Sequence, residues 1–234
     1  AVVNPATALA RIIASMHDDD WHATIPGFYD DVDPMADYRA KIAEVPFDHE
    51  GFRSGTGTDE VGEGGYSTPE RLWVRPTVEV NGLLSGYTGE GAKTVLPAKA
   101  MAKISFRLVP DQDPEKIEAL VTAHIERVAP EGVTVDVRRL HGGPAWRATL
   151  GGELYEAAER ALGRAWGRDV VYAGEGGSIP IVPEFETVLD APVLLMGFGL
   201  PGENAHAPDE WISVGNIEKG THAAAALWEE LAGR

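Results

Sequence analysis

A few stretches of this sequence, each marked by glycine or proline, contain the side chains that could carry chemistry. These side chains are histidine, arginine, threonine and glutamate. His206 follows the apolar run 193–196 and precedes the last predicted helix. Loops at the carboxyl ends of strands build the binding sites of open α/β sheets. A neutral imidazole there suits zinc, which takes three or more His or carboxylate ligands. His206 is therefore the candidate metal ligand, although a loop histidine taken alone is more often an ordinary surface residue.

The glycine-rich turn 174–180 offers a place for an anion. It contains Glu175, Gly177 and Ser178, and Pro180 follows in the first turn of a predicted helix. Free backbone N–H groups and the helix dipole attract a carboxylate there, with about 0.3–1 kcal/mol from the dipole for an exposed group. An equally good interpretation is a strand-to-helix turn that needs only glycine geometry and a cap from Ser178.

Three further side chains are candidates for contact with a substrate. Arg107 points away from the apolar face that Ile104 and Phe106 predict, so it could bind a carboxylate in bidentate fashion. Thr94 lies in a turn, which its hydroxyl could simply stabilise. His141 lies among glycines at a strand end and could donate to a developing oxyanion. The alternative interpretation of Arg107 is an ordinary exposed arginine on a strand, and that of His141 is a solvated loop histidine.

Other polar residues are predicted to have no role in chemistry. His17 and His22 flank an acidic run after the first helix, which is typical of a solvated charge run. His124 lies on an apolar helix stripe and is predicted to pack in the core. His222 has no carboxylate near it in the closing helix, and the pair Glu229-Glu230 is predicted to face solvent at the end of that helix.

Composition narrows the chemistry further. The chain has 234 residues, 44% of them hydrophobic, no cysteine and a formal net charge of -17. Without cysteine there are no disulfides and no thiolate ligands, so a transition metal would need His and carboxylate ligands. The negative charge argues against nucleic acid, which requires clustered Lys and Arg. No apolar run approaches the roughly 18 residues of a membrane span, and the start lacks a signal-peptide pattern. We expect a cytoplasmic protein without membrane contact.

The first part of the chain has the element pattern of an α+β domain. Asn4-Pro5 starts an amphipathic helix, residues 17–70 form a long surface excursion with a helix near 35–43, and Asp113-Pro114 starts a second amphipathic helix. Strands are predicted at residues 72–74, 78–80, 103–108 and 133–137. If one strand preceded Ala1, this order would be the ferredoxin-like split β-α-β fold with an antiparallel sheet.

From residue 144 onward the pattern becomes α/β-like. Helices are predicted at 153–166 and 214–231, with a short helix after the glycine turn, and extended runs at 170–172 and 193–196. A continuous apolar strand is usually covered on both faces. We therefore expect this segment to complete a larger sheet, and the chain to be part of a longer protein.

Five motifs in the same order carry a resemblance to a known family. They are Gly91–Pro97, Phe106–Pro110, His141–Trp146, Glu175–Pro180 and Ala205–His206. Together they resemble the carnosinase-like dipeptidases of the di-zinc exopeptidase family, which includes aminoacylase and acetylornithine deacetylase. The resemblance covers essentially the whole chain. It implies a lid domain over residues 1–143 that supports homodimerisation, followed by the C-terminal α/β segment of the zinc-exopeptidase catalytic domain over residues 144–234.

The resemblance also implies roles for the candidate residues. His206 would be a zinc ligand, Glu175 would orient the peptide, and His141 would act in catalysis as a residue that the family tends to supply across the dimer. The substrate's C-terminal carboxylate and backbone would be held by Thr94, Arg107, Gly177 and Ser178.

The sequence departs from the family in what it lacks. The family's His-x-Asp pair, its bridging aspartate and its adjacent Glu-Glu with the general base belong upstream. We therefore expect part of a zinc dipeptidase, with two zinc ions in the intact site, that cleaves short peptides with a metal-activated water. The 234-residue chain alone is expected to bind no zinc and to be inactive. The alternatives are an N-acyl amino acid deacylase and a non-catalytic dimerisation or binding module.

Overall fold

A computed structural model of the chain describes residues 1–176, 179 and 181–233. In chain order the helices and strands are α1 (Pro5–Ala14), α2 (Ala36–Glu44), α3 (His49–Thr56), α4 (Thr68–Trp73), β1 (Thr77–Ser85), β2 (Ala100–Arg107), α5 (Pro114–Val128), α6 (Gly152–Trp166), α7 (Ile181–Leu189) and α8 (Val214–Ala232). The chain divides into two units. Unit 1 comprises residues 1–43, 60–146 and 174–183, and unit 2 comprises residues 44–59, 147–173 and 184–234.

Unit 1 contains a two-stranded antiparallel sheet, in which Thr77 of β1 lies opposite Arg107 of β2. The register shifts between Val80 and Gly82, which leaves Asn81 as a bulge residue. Along β2, half-buried and exposed side chains alternate, which confirms the alternation predicted from the sequence. Arg107 is exposed at the end of this strand.

The core of unit 1 brings together residues of α1, β1 and α5. Both helices begin where the sequence predicts: the Asn4 side chain accepts a hydrogen bond from the Ala6 N–H at 2.9 Å, and Asp113 accepts one from the Glu115 N–H at 2.8 Å. The buried residues of this core are Ile12, Met16, Ala23, Ile25, Phe28, Val78, Ile117, Val121 and Ile125. Burial of such side chains is the main stabilising contribution to a domain of this kind.

The prediction of a surface excursion over residues 17–70 is wrong for much of its length. Phe28 is 1% exposed and lies in the core of unit 1, and Met35, Ile42 and Val74 form a second buried cluster. The helix predicted near 35–43 is confirmed as α2. These apolar residues are spaced without a helical or strand period, so periodicity does not reveal that they are buried.

The strand predicted at 72–74 is also wrong, because Leu72 and Trp73 end helix α4. Ser67 and Glu70 form a capping box at the start of this helix, with Pro69 in its first turn. The Ser-x-x-Glu spacing is the sequence signature of such a start. It outweighs the apolar triplet from which the strand was predicted.

The strands predicted at 133–137 and 193–196, and the extended run at 170–172, do not form ladders in the structure. Among the described residues, the segments pair with no neighbouring strand. A strand exists through its hydrogen bonds to a neighbour, whatever its side-chain pattern. The described sheet thus supports an α+β fold with an antiparallel pair, whereas the complete split β-α-β arrangement stays a prediction.

Unit 2 is built on the packing of α6 against α8. Small buried residues on both helices allow a close approach; they are Ala157, Ala158 and Ala161 on α6, and Gly220, Ala223 and Ala226 on α8. Arg160 donates to Glu230 at 2.7 Å, and Arg164 donates to Glu229 at 3.0 Å, so the acidic pair joins the two helices. No helix in the described part of the chain has the length and hydropathy of a membrane-spanning segment.

Candidate functional site

The candidate metal ligand His206 lies in the loop that leads into α8 of unit 2. Its side chain is exposed, and its backbone has a φ of 63°. Asn204 and Asp209 also have positive φ values, of 56° and 60°. Residues other than glycine adopt this region in a few per cent of cases, Asn, Asp and His most readily. The loop is therefore tightly curled on both sides of His206.

The donor set around His206 does not complete a metal site. Among residues 1–176, 179 and 181–233, no group of three or more His, Asp or Glu side chains is placed to hold a metal ion. A zinc site needs at least three protein ligands. In the same loop, the Oε1 atom of Glu203 is buried and accepts no hydrogen bond from the described residues. The described residues therefore do not form a complete metal cage by themselves.

Arg107 and Thr94 belong to β2 and to the connection that precedes it. Thr94 is exposed in this connection, residues 86–99. The connection is tied at its base, where the Ser85 hydroxyl donates to the Lys99 carbonyl at 2.9 Å. Within it, the Tyr87 hydroxyl donates to the Glu90 carbonyl at 2.7 Å, so the loop has a defined path before Thr94.

Glu175 lies between two glycines that approach the end of α4 within unit 1. A Cβ atom at Gly176 would lie 2.5 Å from the Leu72 carbonyl oxygen, and one at Gly174 would overlap the side chain of Trp73. Close packing therefore requires these glycines, whether or not the turn also binds an anion. Gly177 and Ser178, the other two substrate-binding candidates of this turn, lie outside the described residues.

His141 is exposed in a segment of unit 1 without helix or strand. The next residues of the chain, 142–145, line a shallow cleft of about 490 Å³ together with residues 111–115 and Arg139. Thr94, Arg107, His141 and Glu175 thus all belong to unit 1, whereas His206 belongs to unit 2.

Unit 1 contains a polar cluster that the sequence does not predict, because its pattern places His22 only in a solvated charge run. The imidazole Nδ1 of His22 lies 3.0 Å from Oε1 of Glu63, and its ring stacks on Tyr29 at 4.1 Å between centroids. Glu63 also accepts two hydrogen bonds from Arg75. The guanidinium carbon of Arg75 lies 5.0 Å from the ring centroid of Tyr29 and 4.2 Å from that of Tyr66. Residues 41 positions apart in sequence, as His22 and Glu63 are, give no local signal of such a contact.

His124 is a buried histidine that holds α5 to the end of α1, which confirms the prediction that it packs in the core. The Arg127 guanidinium donates to its Nδ1 at 2.9 Å, so Nε2 carries the proton and donates to the Ser15 hydroxyl at 3.0 Å. Burial, and then the charge of Arg127, lower the pKa of His124 below its ordinary value. The neutral imidazole is the form that fits this place.

Comparison with known proteins identifies the family. The sequence profile of the peptidase dimerisation domain of the M20 family matches residues 1–133. The chain belongs to this M20 family. It is 30% identical to the Cys-Gly metallodipeptidase DUG1 of Candida albicans, over 94% of this chain and 46% of that protein. It is 28% identical to the Beta-Ala-His dipeptidase of Rattus norvegicus, over 97% of this chain and 47% of that protein.

The fold of the M20 chain is also similar to that of a solved structure. The structure of the dipeptidase Dug1p from Saccharomyces cerevisiae matches with a TM-score of 0.86 and 28% identity, over 100% of this chain and 50% of that one. The M20 chain therefore spans about half the length of the relatives that it matches. The similarity confirms the resemblance to the C-terminal part of carnosinase-like dipeptidases.

Proposed function

We propose that this chain is the lid and the C-terminal catalytic segment of a zinc-dependent dipeptidase that hydrolyses short peptides in the cytoplasm. The observation that carries the proposal is the similarity to proteins named as dipeptidases, which extends over 94% to 100% of the chain. The proposed boundary between the lid, residues 1–143, and the catalytic segment, residues 144–234, follows the motif order.

His206 is the proposed zinc ligand of this chain. Its exposed imidazole, on a curled loop before α8, is accessible to ligands from other parts of a protein. The described residues do not complete a cage, and we propose that the remaining ligands and the general base lie in the part of the parent protein outside this chain. With His206 among its ligands, a pair of zinc ions bound in the intact enzyme would supply an activated water for attack on the peptide carbonyl.

Arg107 is the proposed anchor for the substrate's C-terminal carboxylate. It is exposed at the end of a hydrogen-bonded strand, which is a rigid support for a charged side chain. A planar guanidinium matches a carboxylate with two parallel hydrogen bonds. Thr94, Gly177 and Ser178 are proposed to hold the peptide beside it, and Glu175 to orient it.

His141 is proposed as a catalytic residue that donates a hydrogen bond to the oxygen on which negative charge develops. An exposed imidazole beside glycines can approach a substrate without steric hindrance. A donor placed in this way stabilises the transition state more than the ground state.

A homodimer through the lid is part of the proposal. Two large apolar side chains lie opposite each other on the strands of unit 1, where Leu84 of β1 and Met101 of β2 are 54% and 50% exposed. Exposed apolar side chains that share one face of a sheet are typical of interaction surfaces. Light scattering of the 25.1 kDa chain is expected to give twice this mass, and a monomer at all concentrations would contradict a dimer through the lid.

The experiment that tests the function compares the full-length parent with the 234-residue chain. Each is incubated with zinc and a panel of dipeptides and N-acetyl amino acids, and the release of amino acids is measured. We expect the parent to cleave dipeptides and the chain alone to cleave nothing. Preferential cleavage of N-acetyl amino acids would identify a deacylase. A parent without turnover would instead favour a non-catalytic dimerisation or binding module.

A further inference from the structure

Trp211 closes the loop that carries His206. Its backbone N–H donates to the carbonyl of Glu203 at 3.0 Å, and its indole Nε1–H donates to the carbonyl of Gly202 at 2.9 Å. One residue thus ties two consecutive carbonyls eight and nine positions earlier in the chain. The residues enclosed by these bonds include His206.

The enclosed turn is not held by regular secondary structure. It depends on short local bonds, in which the Glu203 N–H donates to the Leu200 carbonyl at 3.3 Å and the Ala207 N–H donates to the Asn204 carbonyl at 2.8 Å. Positive φ values at Asn204, His206 and Asp209 cost conformational energy. A backbone of this kind keeps one conformation only when the surrounding contacts determine it.

We propose that Trp211 is a positioning residue, which fixes the backbone of the His206 loop and thereby the direction of the His206 imidazole. The inference rests on the proposed function for the use of that imidazole. The two hydrogen bonds from Trp211 to the carbonyls of Gly202 and Glu203, which we call the clamp, are a property of unit 2 alone. Trp211 is 48% exposed, so its ring contributes less to the core than a buried tryptophan would. Its two hydrogen bonds to the loop are its distinguishing contacts.

The test compares Trp211→Phe with Trp228→Phe in the 234-residue chain. Phenylalanine keeps an aromatic ring but removes the indole N–H donor together with the five-membered ring, while the backbone N–H bond to the Glu203 carbonyl stays. Trp228 lies on α8 of the same unit and is 72% exposed, so it is a matched control. Heteronuclear NOE values and amide hydrogen exchange are measured by NMR for residues 202–207 and for α6 and α8.

In Trp211→Phe we expect the NOE values of residues 202–207 to fall and the exchange of the Ala207 amide to accelerate by roughly fivefold to tenfold. The midpoint of thermal unfolding and the exchange in α6 and α8 should stay as in the wild type, and Trp228→Phe should change nothing in the loop. An unchanged loop in Trp211→Phe would overturn the proposal. Loosening that spreads through α6 and α8 would also overturn it, because Trp211 would then be merely structural.

A second readout links the clamp to the reaction. In the full-length parent, Trp211→Phe is expected to lower kcat for a dipeptide by about tenfold and to leave KM within about twofold, since the loop is not proposed to hold the substrate carboxylate. An unchanged kcat beside a loosened loop would overturn the positioning role. A parent without peptidase activity would contradict the proposed function, whereas the NMR measurement would still decide whether the clamp exists.

Discussion

Arg75 donates two hydrogen bonds to the carboxylate of Glu63, from Nε at 2.7 Å and from Nη2 at 2.6 Å. The two side chains are 10% and 9% exposed. Removal of one partner from a buried ion pair leaves the other charge without compensation. Because the pair is only partly buried, we expect Glu63→Gln to lower the free energy of unfolding by about 1–3 kcal/mol in urea titrations.

Two variants make the prediction for Glu63 specific. Glu79→Gln removes an exposed carboxylate from β1 and should change the free energy of unfolding by less than about 0.5 kcal/mol. The double variant Glu63→Leu/Arg75→Met replaces the whole pair with apolar groups and should recover most of the loss. Equal effects of Glu63→Gln and Glu79→Gln would show that the pair does not stabilise unit 1.

The pKa of His124 predicts how stability depends on pH. Because burial and Arg127 hold this pKa below the ordinary value, the unfolded chain takes up the proton first as the pH falls. The contribution of the neutral imidazole is complete above about pH 6.5 and is lost as the pH falls from there toward the folded-state pKa. Urea unfolding between pH 8 and pH 5 should therefore show stability that decreases on acidification.

His124→Gln isolates this contribution, since glutamine does not titrate in this range. We expect the variant to be less stable than the wild type at pH 8 and to lose less stability between pH 7 and pH 5. His222→Gln, at an exposed position of α8, should keep the wild-type pH dependence. A wild-type pH dependence in His124→Gln would show that another group is responsible.

Because Gly176 lies close to α4, substitution by alanine should affect stability differently at Gly176 than at Gly64. A Cβ at position 176 would lie 2.5 Å from the Leu72 carbonyl oxygen, so Gly176→Ala should destabilise the chain by about 1–3 kcal/mol. Gly64 has open space around its Cβ position, and Gly64→Ala should be neutral or stabilise by about 0.4–1 kcal/mol. Thermal unfolding of both variants would reveal this difference, and equal shifts would contradict the packing at Gly176.

The fold could be predicted where the signals that define an element lie within its own sequence. α5 has its cap at Asp113 and its apolar stripe in local sequence, and the structure confirms both. The excursion 17–70 could not be predicted, since Phe28 and Met35 are buried by partners distant in sequence. The strand predicted at 133–137 needs a neighbour for its hydrogen bonds, and side-chain alternation does not show whether one is present.

The candidate site could be predicted only as separate motifs. Local sequence placed Arg107 on the exposed face of its strand, and the structure confirms that exposure. The clamp of Trp211 on the loop of His206 follows from backbone carbonyls at Gly202 and Glu203, which carry no side-chain signal. The contact of His22 with Glu63 also has no local sequence signal, because it depends on how residues 17–70 fold back.

The role proposed for Arg107 predicts a change in substrate affinity in the full-length parent. Lysine keeps the charge and cannot form the bidentate contact, so Arg107→Lys should raise KM for a dipeptide by roughly tenfold, with little change in kcat. Arg138→Lys changes an arginine whose side chain is 79% exposed and should leave both constants unchanged. A decrease in kcat alone would place Arg107 outside carboxylate binding.

The most direct test of the proposed function is dipeptide turnover by the full-length parent with His206→Ala, and with His222→Ala as the matched exposed histidine of unit 2. Metal is removed from each protein with a chelator, zinc is returned, and kcat is measured. His206→Ala is expected to lose at least about 100-fold in kcat, while the wild type and His222→Ala recover together when zinc is returned. Full turnover by His206→Ala, or turnover by the wild type that survives removal of the metal, would contradict a zinc dipeptidase that uses His206.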